Sequence, residues 1–436
     1  MAGGVRMQSR RWRQQVTAAG ARAHSTHGRA TRRTALALLL SVLGLGLWPG
    51  SPAPAGAAGS GVLIPWAPQS ESPASNHAPV PPAQAMQDAL NFNIITAHVV
   101  AYAGQVPAMK AVNPNLKVLA YLNATFAQNY QGTPFANQDY AVDAQGHRIT
   151  QLNSGNFLMD PSQPDWINSR ISQCQADIER SGYDGCYLDL LGGAPVGQNF
   201  VTAPPINQST HQVWTRTEWL AATANLAASV RAAANAITVY GHAALVYGNG
   251  LVNGEQFYQP NAPSKVLMGS LDGGMAEAWL RQQDAPVTTT LTTSQWLANV
   301  NMIGAIEATG KPALVITKLW VPATNAQQDA WRQFALASFL MGTQGRSAFF
   351  FSTSFAIPRT MPLPWYNTQL GNPSGLYSYQ PASGVYQRTF AAGLVLVNAD
   401  SKPHTVTLAH PYYTLARQAI TSATMLPSSG LVLTTA

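Results

Sequence analysis

Acidic side chains are scarce in this sequence, with 18 Asp and Glu in 436 residues. Each carboxylate that sits in an apolar run therefore carries information. Cysteine is scarcer, at two, and no C-x-x-C is present; a zinc ribbon, an iron–sulfur cluster and a dithiol redox centre lose their signature. The nine His are scattered, two of them within the first 30 residues, and there is no H-E-x-x-H. Nor is there a G-x-S-x-G, a phosphate-cradling G-x-x-x-x-G-K-[S/T] or a G-x-G-x-x-G. The sequence thus has no sign of a serine-hydrolase elbow, a nucleotide phosphate loop or a dinucleotide fold. No cofactor is expected.

The formal charge of +7 is unevenly placed. Eight of the 25 Lys and Arg lie in residues 1–58, which hold no Asp or Glu, leaving 17 for the remainder against all 18 acids. The basic balance belongs to the leader, so nucleic acid is not expected as a partner. The leader has an Arg-rich start ending at Arg32-Arg33 and an uncharged stretch from Ala35 to Trp48. Pro/Ala/Gly-rich sequence with a cleavage-like Ala55-Gly-Ala57 follows. Fourteen residues are short for a bilayer span and suit a signal h-region. Residues 1–58 are read as an export signal with a weak twin-arginine character; an uncleaved anchor is the alternative. No later segment reads as membrane-spanning, so a secreted protein without stable membrane insertion is expected.

What is present is a regular alternation. Apolar runs at Gly61–Trp66, Asn93–Tyr102, Lys117–Asn123, Gly185–Asp189, Ala243–Tyr247, Gly273–Glu277, Pro312–Thr317 and Ser347–Ser352 alternate with helical segments such as Pro164–Arg180, Thr217–Ala236 and Gln327–Met341. The helix Ser294–Thr309 is expected to open on a Ser cap. Eight strands, mostly followed by helices, predict a (β/α)8 barrel of the TIM type over residues 59–355. A doubly wound sheet is the rival, and it usually carries a Gly-rich turn after strand one that is missing here. After a connector at 356–383 the texture changes to short β-rich runs with turn residues, which predicts a small antiparallel β domain at 384–436. Cys174 falls in a helix and Cys186 in the strand after it; strand alternation turns Cys186 toward the helices. A disulfide and two buried thiols are both compatible with this placement.

Two strings stand out. Asp184-Gly-Cys-Tyr-Leu-Asp189 and Asp272-Gly-Gly-Met-Ala-Glu277 each run Asp-Gly, three residues, carboxylate. The leading Asp-Gly pairs read as turns into the strands, where Asp accepts turn hydrogen bonds and Gly takes unusual backbone angles. Asp189 and Glu277 end the fourth and sixth strands, at the catalytic face of a parallel barrel. An acid after an apolar run is costly to bury without purpose. Two carboxyl groups in different protonation states are what glycosidic cleavage needs, so both are candidate catalytic residues; a buried ion pair or a solvated loop acid is the structural alternative.

With these residues in hand, and with Tyr121-Leu-Asn123, Asp160-Pro161 and Gly248-Asn249-Gly250, the chain resembles the secreted hypothetical glycosyl hydrolase barrels, distant relatives of α-galactosidase-type glycosidases. The resemblance covers roughly 61–355. It implies the glycoside hydrolase reaction class, with Asp189 as nucleophile and Glu277 as acid/base; the reading adopted is cleavage of a poly- or oligosaccharide, retaining where the two carboxyl groups stand about 5–5.5 Å apart. The relatives often carry Asp at the second position, where this chain has Glu.

Strand ends supply further rim candidates. Asn123 and Asn249 could hydrogen-bond sugar hydroxyls, and Tyr121 lies beside them. Trp66, Trp279 and Trp320 could stack on sugar faces or pack in the core. Lys318 could meet an acidic or hydroxyl group. Asp160 either caps the following helix or reaches the cleft. Two rivals stay open: a non-catalytic barrel that binds glycan or cell-wall polymer, and a lyase or aldolase-type enzyme using Lys318 as a Schiff base.

Overall fold

The computed structural model describes residues 64–68, 78–127, 134–193, 195–196, 200–354 and 368–435. The leader, its uncharged stretch and Ala55-Gly-Ala57 lie outside these, as do residues 61–63 of the first expected strand and much of the 356–383 connector.

Eight parallel strands close into a barrel in sequence order: β1 (Ile64–Pro68), β2 (Ile94–Ala97), β3 (Lys117–Asn123), β4 (Gly185–Asp189), β5 (Leu245–Asn249), β6 (Gly273–Ala276), β7 (Ala313–Lys318) and β8 (Ala348–Ser352), with β8 pairing β1. The packed outer helices include α1 (Pro82–Asn91), α2 (Val106–Val112), α3 (Pro164–Ser181), α4 (Arg216–Asn235), α5 (Thr293–Glu307) and α6 (Asn325–Gly342). The (β/α)8 expectation is met. Several boundaries moved. The second run ends its strand at Ala97 and turns helical over Val99–Tyr102. Helix α5 is capped by Thr292, whose side chain accepts from Gln295 N–H while Gln295 reaches back to Thr292, rather than by Ser294. The S/T-x-x-E/Q reciprocity selects the Thr.

Period-two alternation sorts each strand into two faces. Trp66, Ile94, Leu119, Tyr187, Tyr247, Met275, Leu314, Ile316 and Phe350 fill the barrel interior. The alternate residues, among them Val118, Ala120, Cys186, Leu188, Val246 and Val315, pack outward against the helices. Cys186 meets Cys174 of α3 in a disulfide with Cα atoms 5.8 Å apart, tying β4 to the helix before it.

The repeated Asp-Gly pairs do one job twice. The Asp184 carboxylate accepts the N–H of Val118 on β3 at 2.8 Å and pairs with Lys110 at 2.7 Å and His242 at 3.2 Å. The Asp272 carboxylate accepts the N–H of Val246 on β5 at 2.9 Å and pairs with Arg231 at 2.6 Å. Each Asp thus brackets the start of its strand to the preceding one. The glycine is required at 185, because a Cβ there would sit 1.9 Å from the Leu245 carbonyl oxygen. Side-chain-free Gly273 makes room for the Tyr247 ring inside the barrel.

A six-stranded antiparallel sheet follows: β9 (Ser378–Gln380), β10 (Val385–Phe390), β11 (Gly393–Asn398), β12 (His404–Thr414), β13 (Ala419–Met425) and β14 (Ser429–Thr434), in the order β9-β10-β11-β14-β12-β13. It seats on α6, where Gly430 lets the backbone of β14 approach Ala337 and Gln333. Buried Arg388 of β10 donates to the carbonyls of Leu340, Met341 and Thr343, the open C-terminal end of α6. A cation there satisfies orphan carbonyls and complements the helix dipole. Burial, opposed by the charge of Glu307, brings its guanidinium down to about 10.

Candidate active site

The parity that builds the barrel interior also builds its mouth. One step beyond Tyr187 on β4 the next inward position is Asp189; beyond Tyr247 on β5 it is Asn249; beyond Met275 it is Glu277; beyond Ile316 on β7 it is Lys318. Tyr121 is the inward residue of β3, in register with Tyr187, and Asn123 is in register with Asp189. All of these reach the C-terminal face, which in such barrels is the active one.

A single row of hydrogen bonds connects them. Tyr121 Oη donates to Asp189 Oδ2 at 2.8 Å. Asn249 Nδ2 donates to Asp189 Oδ1 at 2.9 Å and to Glu277 Oε2 at 2.7 Å. Lys318 Nζ pairs with Glu277 Oε1. Lys318 is only 2% exposed and Asn249 6%, while the two carboxyl groups are half-buried and face the mouth. Because one amide nitrogen bonds both acids, their facing oxygens lie roughly 5 Å apart, from the ~120° spread of its two N–H groups.

The two acids are pushed in opposite directions. Burial raises Asp189, and the neighbouring Glu277 charge adds to it, against the hydrogen bonds from Asn249 and Tyr121. Burial also works to raise Glu277, but the Lys318 charge and hydrogen bond, with Asn249, outweigh it and hold the group below its ordinary value.

The loops just beyond these strands are strained. Leu190, Val252 and Leu280 have φ of 62°, 63° and 66°, left-handed values for branched side chains. Each costs about 1 kcal/mol or more, and such residues cluster at functional sites. Leu190 is held by its carbonyl accepting Thr125 Oγ1 at 2.6 Å, and Val252 by its carbonyl accepting the N–H of Ala278 at 3.0 Å.

The structure brings Tyr121, Asn249 and Lys318 to Asp189 and Glu277, and leaves other expected residues elsewhere. Trp66 is fully buried in the barrel interior, because β1 runs on to Pro68 and places it mid-strand. Trp279 is fully buried too, its indole N–H donating to Asn299 O at 3.1 Å and its ring edge-on to Phe349. Neither presents a face to a sugar. The Asn123 side-chain oxygen Oδ1 accepts the N–H groups of Thr125 and Phe126 and shapes the turn after β3. Asp160 is fully buried and accepts from Ser162 N–H and Oγ in a turn before α3. Trp320 stays half-buried at the rim, its ring 4.6 Å from Lys318 Nζ. His98, which from the sequence could line the barrel but as a lone His is more often structural, lies just beyond β2 against Tyr121, with ring centroids 4.7 Å apart and the rings tilted by 52°. Among the described residues, no three His, Cys, Asp or Glu side chains gather as a metal site would require.

Two cavities lie among the described residues. One of about 210 Å³ is lined by Asn253, Glu255, Ala278 and Arg281 on the loops after β5 and β6. Another of about 630 Å³ lies between α5, α6 and the residues before β9, near Glu307, Arg346 and Tyr377, away from the paired acids.

The structure is similar to a noncanonic maltogenic alpha-amylase from Thermotoga neapolitana, with TM-score 0.48 and 10% identity over 85% of this chain and 98% of that one. It is similar to an alpha-amylase from Malbranchea cinnamomea, with TM-score 0.45 and 11% identity over 86% and 96%. An alpha-galactosidase from Geobacillus stearothermophilus aligns with TM-score 0.43 and 9% identity over 86% and 55%. No curated protein sequence matches. A family model matches residues 110–394, well over half the sequence, from within α2 to the first residues of β11 and across the paired acids, and by it the chain belongs to hypothetical glycosyl hydrolase family 15.

Proposed function

We propose that this protein hydrolyses O-glycosidic bonds of a poly- or oligosaccharide by retaining, two-carboxylate catalysis at Asp189 and Glu277. The observation that carries this is the single Asn249 nitrogen donating to both acids. A spacing of roughly 5 Å suits retaining enzymes, whose carboxyl groups stand about 5–5.5 Å apart, and leaves no room for the water that inverting enzymes hold across about 6.5–9.5 Å. In the first half-reaction one group protonates the leaving oxygen while the other attacks the anomeric carbon. In the second, water releases the sugar from that covalent ester, with the first group now acting as base. Tyr121 and Asn249 hold the acids in place, and Trp320 offers a partly open aromatic face for a sugar ring.

A barrel that only held a glycan would gain nothing from two like charges sharing one donor, so catalysis is the better reading. The Schiff-base alternative is disfavoured because Lys318 is engaged as an ion pair by Glu277, and an ammonium so held is a poor nucleophile. Export is part of the proposal, supported by the Arg-rich leader and by the Cys174–Cys186 disulfide, which suits an oxidising compartment. Among the described residues no helix is long and apolar enough to cross a membrane.

The test is hydrolysis of an aryl-glycoside and polysaccharide panel by the wild type, Asp189→Asn and Glu277→Gln. Loss of activity in both variants, with an unchanged circular dichroism spectrum, is expected. Equal activity in the variants would remove the two-carboxylate assignment.

A further inference from the structure

We propose that Lys318 divides the labour between the two acids, holding Glu277 as the anion that attacks the sugar and leaving Asp189 to carry the proton, the reverse of the order that resemblance to α-galactosidase-type barrels implies. This rests on the two-carboxylate reading above and goes beyond it in assigning the roles.

The groups around the pair come from β7, β5, β3 and the end of β2, and they are unequal. From β7, the buried Lys318 ammonium meets Glu277 directly. From β5, the neutral Asn249 amide donates once to each acid and so favours neither. From β3, the neutral Tyr121 hydroxyl donates to Asp189, with the His98 ring tilted against it just beyond β2. Among the described residues no cation lies on Asp189. A full positive charge on one acid outweighs a neutral donor on the other. Two like charges this close resist ionising together, so the one without the cation keeps the shared proton. When Asp189 is protonated, the Tyr121 contact can reverse, the acid O–H donating to the phenol oxygen. Burial and the Glu277 charge acting on Asp189, against Lys318 acting on Glu277, point the same way.

The chemistry balances with water as the only co-reactant. Asp189 gives its proton to the glycosidic oxygen as that C–O bond breaks and its electron pair stays on the leaving group. A Glu277 oxygen forms the new bond to the anomeric carbon. Asp189, now a carboxylate, takes a proton from water, whose oxygen displaces Glu277. The ester's electron pair returns to the carboxylate, and Asp189 is protonated again. Lys318 acts on the reaction through its pairing with Glu277 and is a positioning residue.

Two measurements test this on the full chain, with any glycoside the wild type cleaves. First, the matching 2-deoxy-2-fluoro glycosyl donor is used to trap the covalent intermediate, and the labelled peptide is mapped by mass spectrometry. The label is expected on Glu277; a label on Asp189 overturns the assignment. Second, pH profiles of kcat/KM are compared for the wild type, Lys318→Met and Lys318→Arg. Losing the cation is expected to raise the acidic limb, which reports the nucleophile, by about one pH unit or more, with Lys318→Arg restoring it. Movement of the basic limb instead would make Glu277 the proton donor. Loss of kcat with neither limb moved would make Lys318 merely structural. Both results overturn the proposal. An inverted product by NMR would remove the retaining reading itself, and a wild type inactive on every substrate would remove both.

Discussion

The two ends of β4 and β6 carry the same functional group to opposite ends. At the lower end, Asp184 and Asp272 are each matched by a backbone N–H on one oxygen and a cation on the other. At the upper end, Asp189 and Glu277 share one amide between them and have one ammonium for two acids. A carboxylate saturated on both oxygens glues strands together. A pair short of one countercharge must keep a proton mobile, which is the condition for acid–base chemistry. The Asp-Gly-x-x-x-acid string contains both kinds, separated by one strand length.

The comparison breaks most visibly in activity. Asp189→Asn and Glu277→Gln are each expected to lower kcat by about a thousandfold or more, in the range of a lost catalytic acid or nucleophile, while denaturant midpoints stay near those of the wild type. If either acid at the lower end proved equally essential in folded protein, the contrast would fail. Asp184→Ala should instead leave kcat per folded molecule within about twofold and lower unfolding free energy by about 3–5 kcal/mol, as for a buried ion pair broken on one side. Urea titration followed by Trp fluorescence checks this.

Asn249→Ala sharpens the upper half. Removing the shared donor is expected to cost about 10–100-fold in kcat, with less effect on KM, and steady-state kinetics on the same substrate decide it. The smallest effect concerns stability against pH. The raised Asp189 pKa means the folded chain holds a proton that the unfolded chain has released once pH passes the ordinary Asp value near 3.8. Stability contributed by this group is therefore present below that value and lost as pH rises through the folded pKa. Asp189→Asn should raise Tm by about a degree or two at pH 7 and not at pH 3.5. Calorimetry at the two pH values measures it, and an equal shift at both would show that burial, not charge, distinguishes the site.

Much of this was legible beforehand because strands have a period of two. Asp189 two residues beyond Tyr187, and Glu277 two beyond Met275, follow from alternation within a run, and the paired Asp-Gly turns follow from local turn chemistry. Parity stops being informative where the strand stops. Trp279 lies two residues beyond Glu277, but Ala278 already bonds to the Val252 carbonyl and the chain has turned into the core. Trp66 was misplaced by the opposite error, since a strand two residues longer sinks a residue from rim to interior. Asp160 sits in a turn whose partners, Ser162 and Gln208, come from near and far in the chain.

The order of eight strands, the placing of two acids at the tips of the fourth and sixth, and the turn role of their leading Asp residues were decided by the amino-acid sequence, because alternation, caps and Asp-Gly turns act over a few residues. Only the tertiary structure decided that Asn249 bridges the acids, that Lys318 stands on Glu277 rather than on Asp189, that Cys174 meets Cys186, and that Trp66 and Trp279 are core. Those are distances between residues tens of positions apart, set by strand register and barrel closure, and electrostatics between two acids depends on such distances alone.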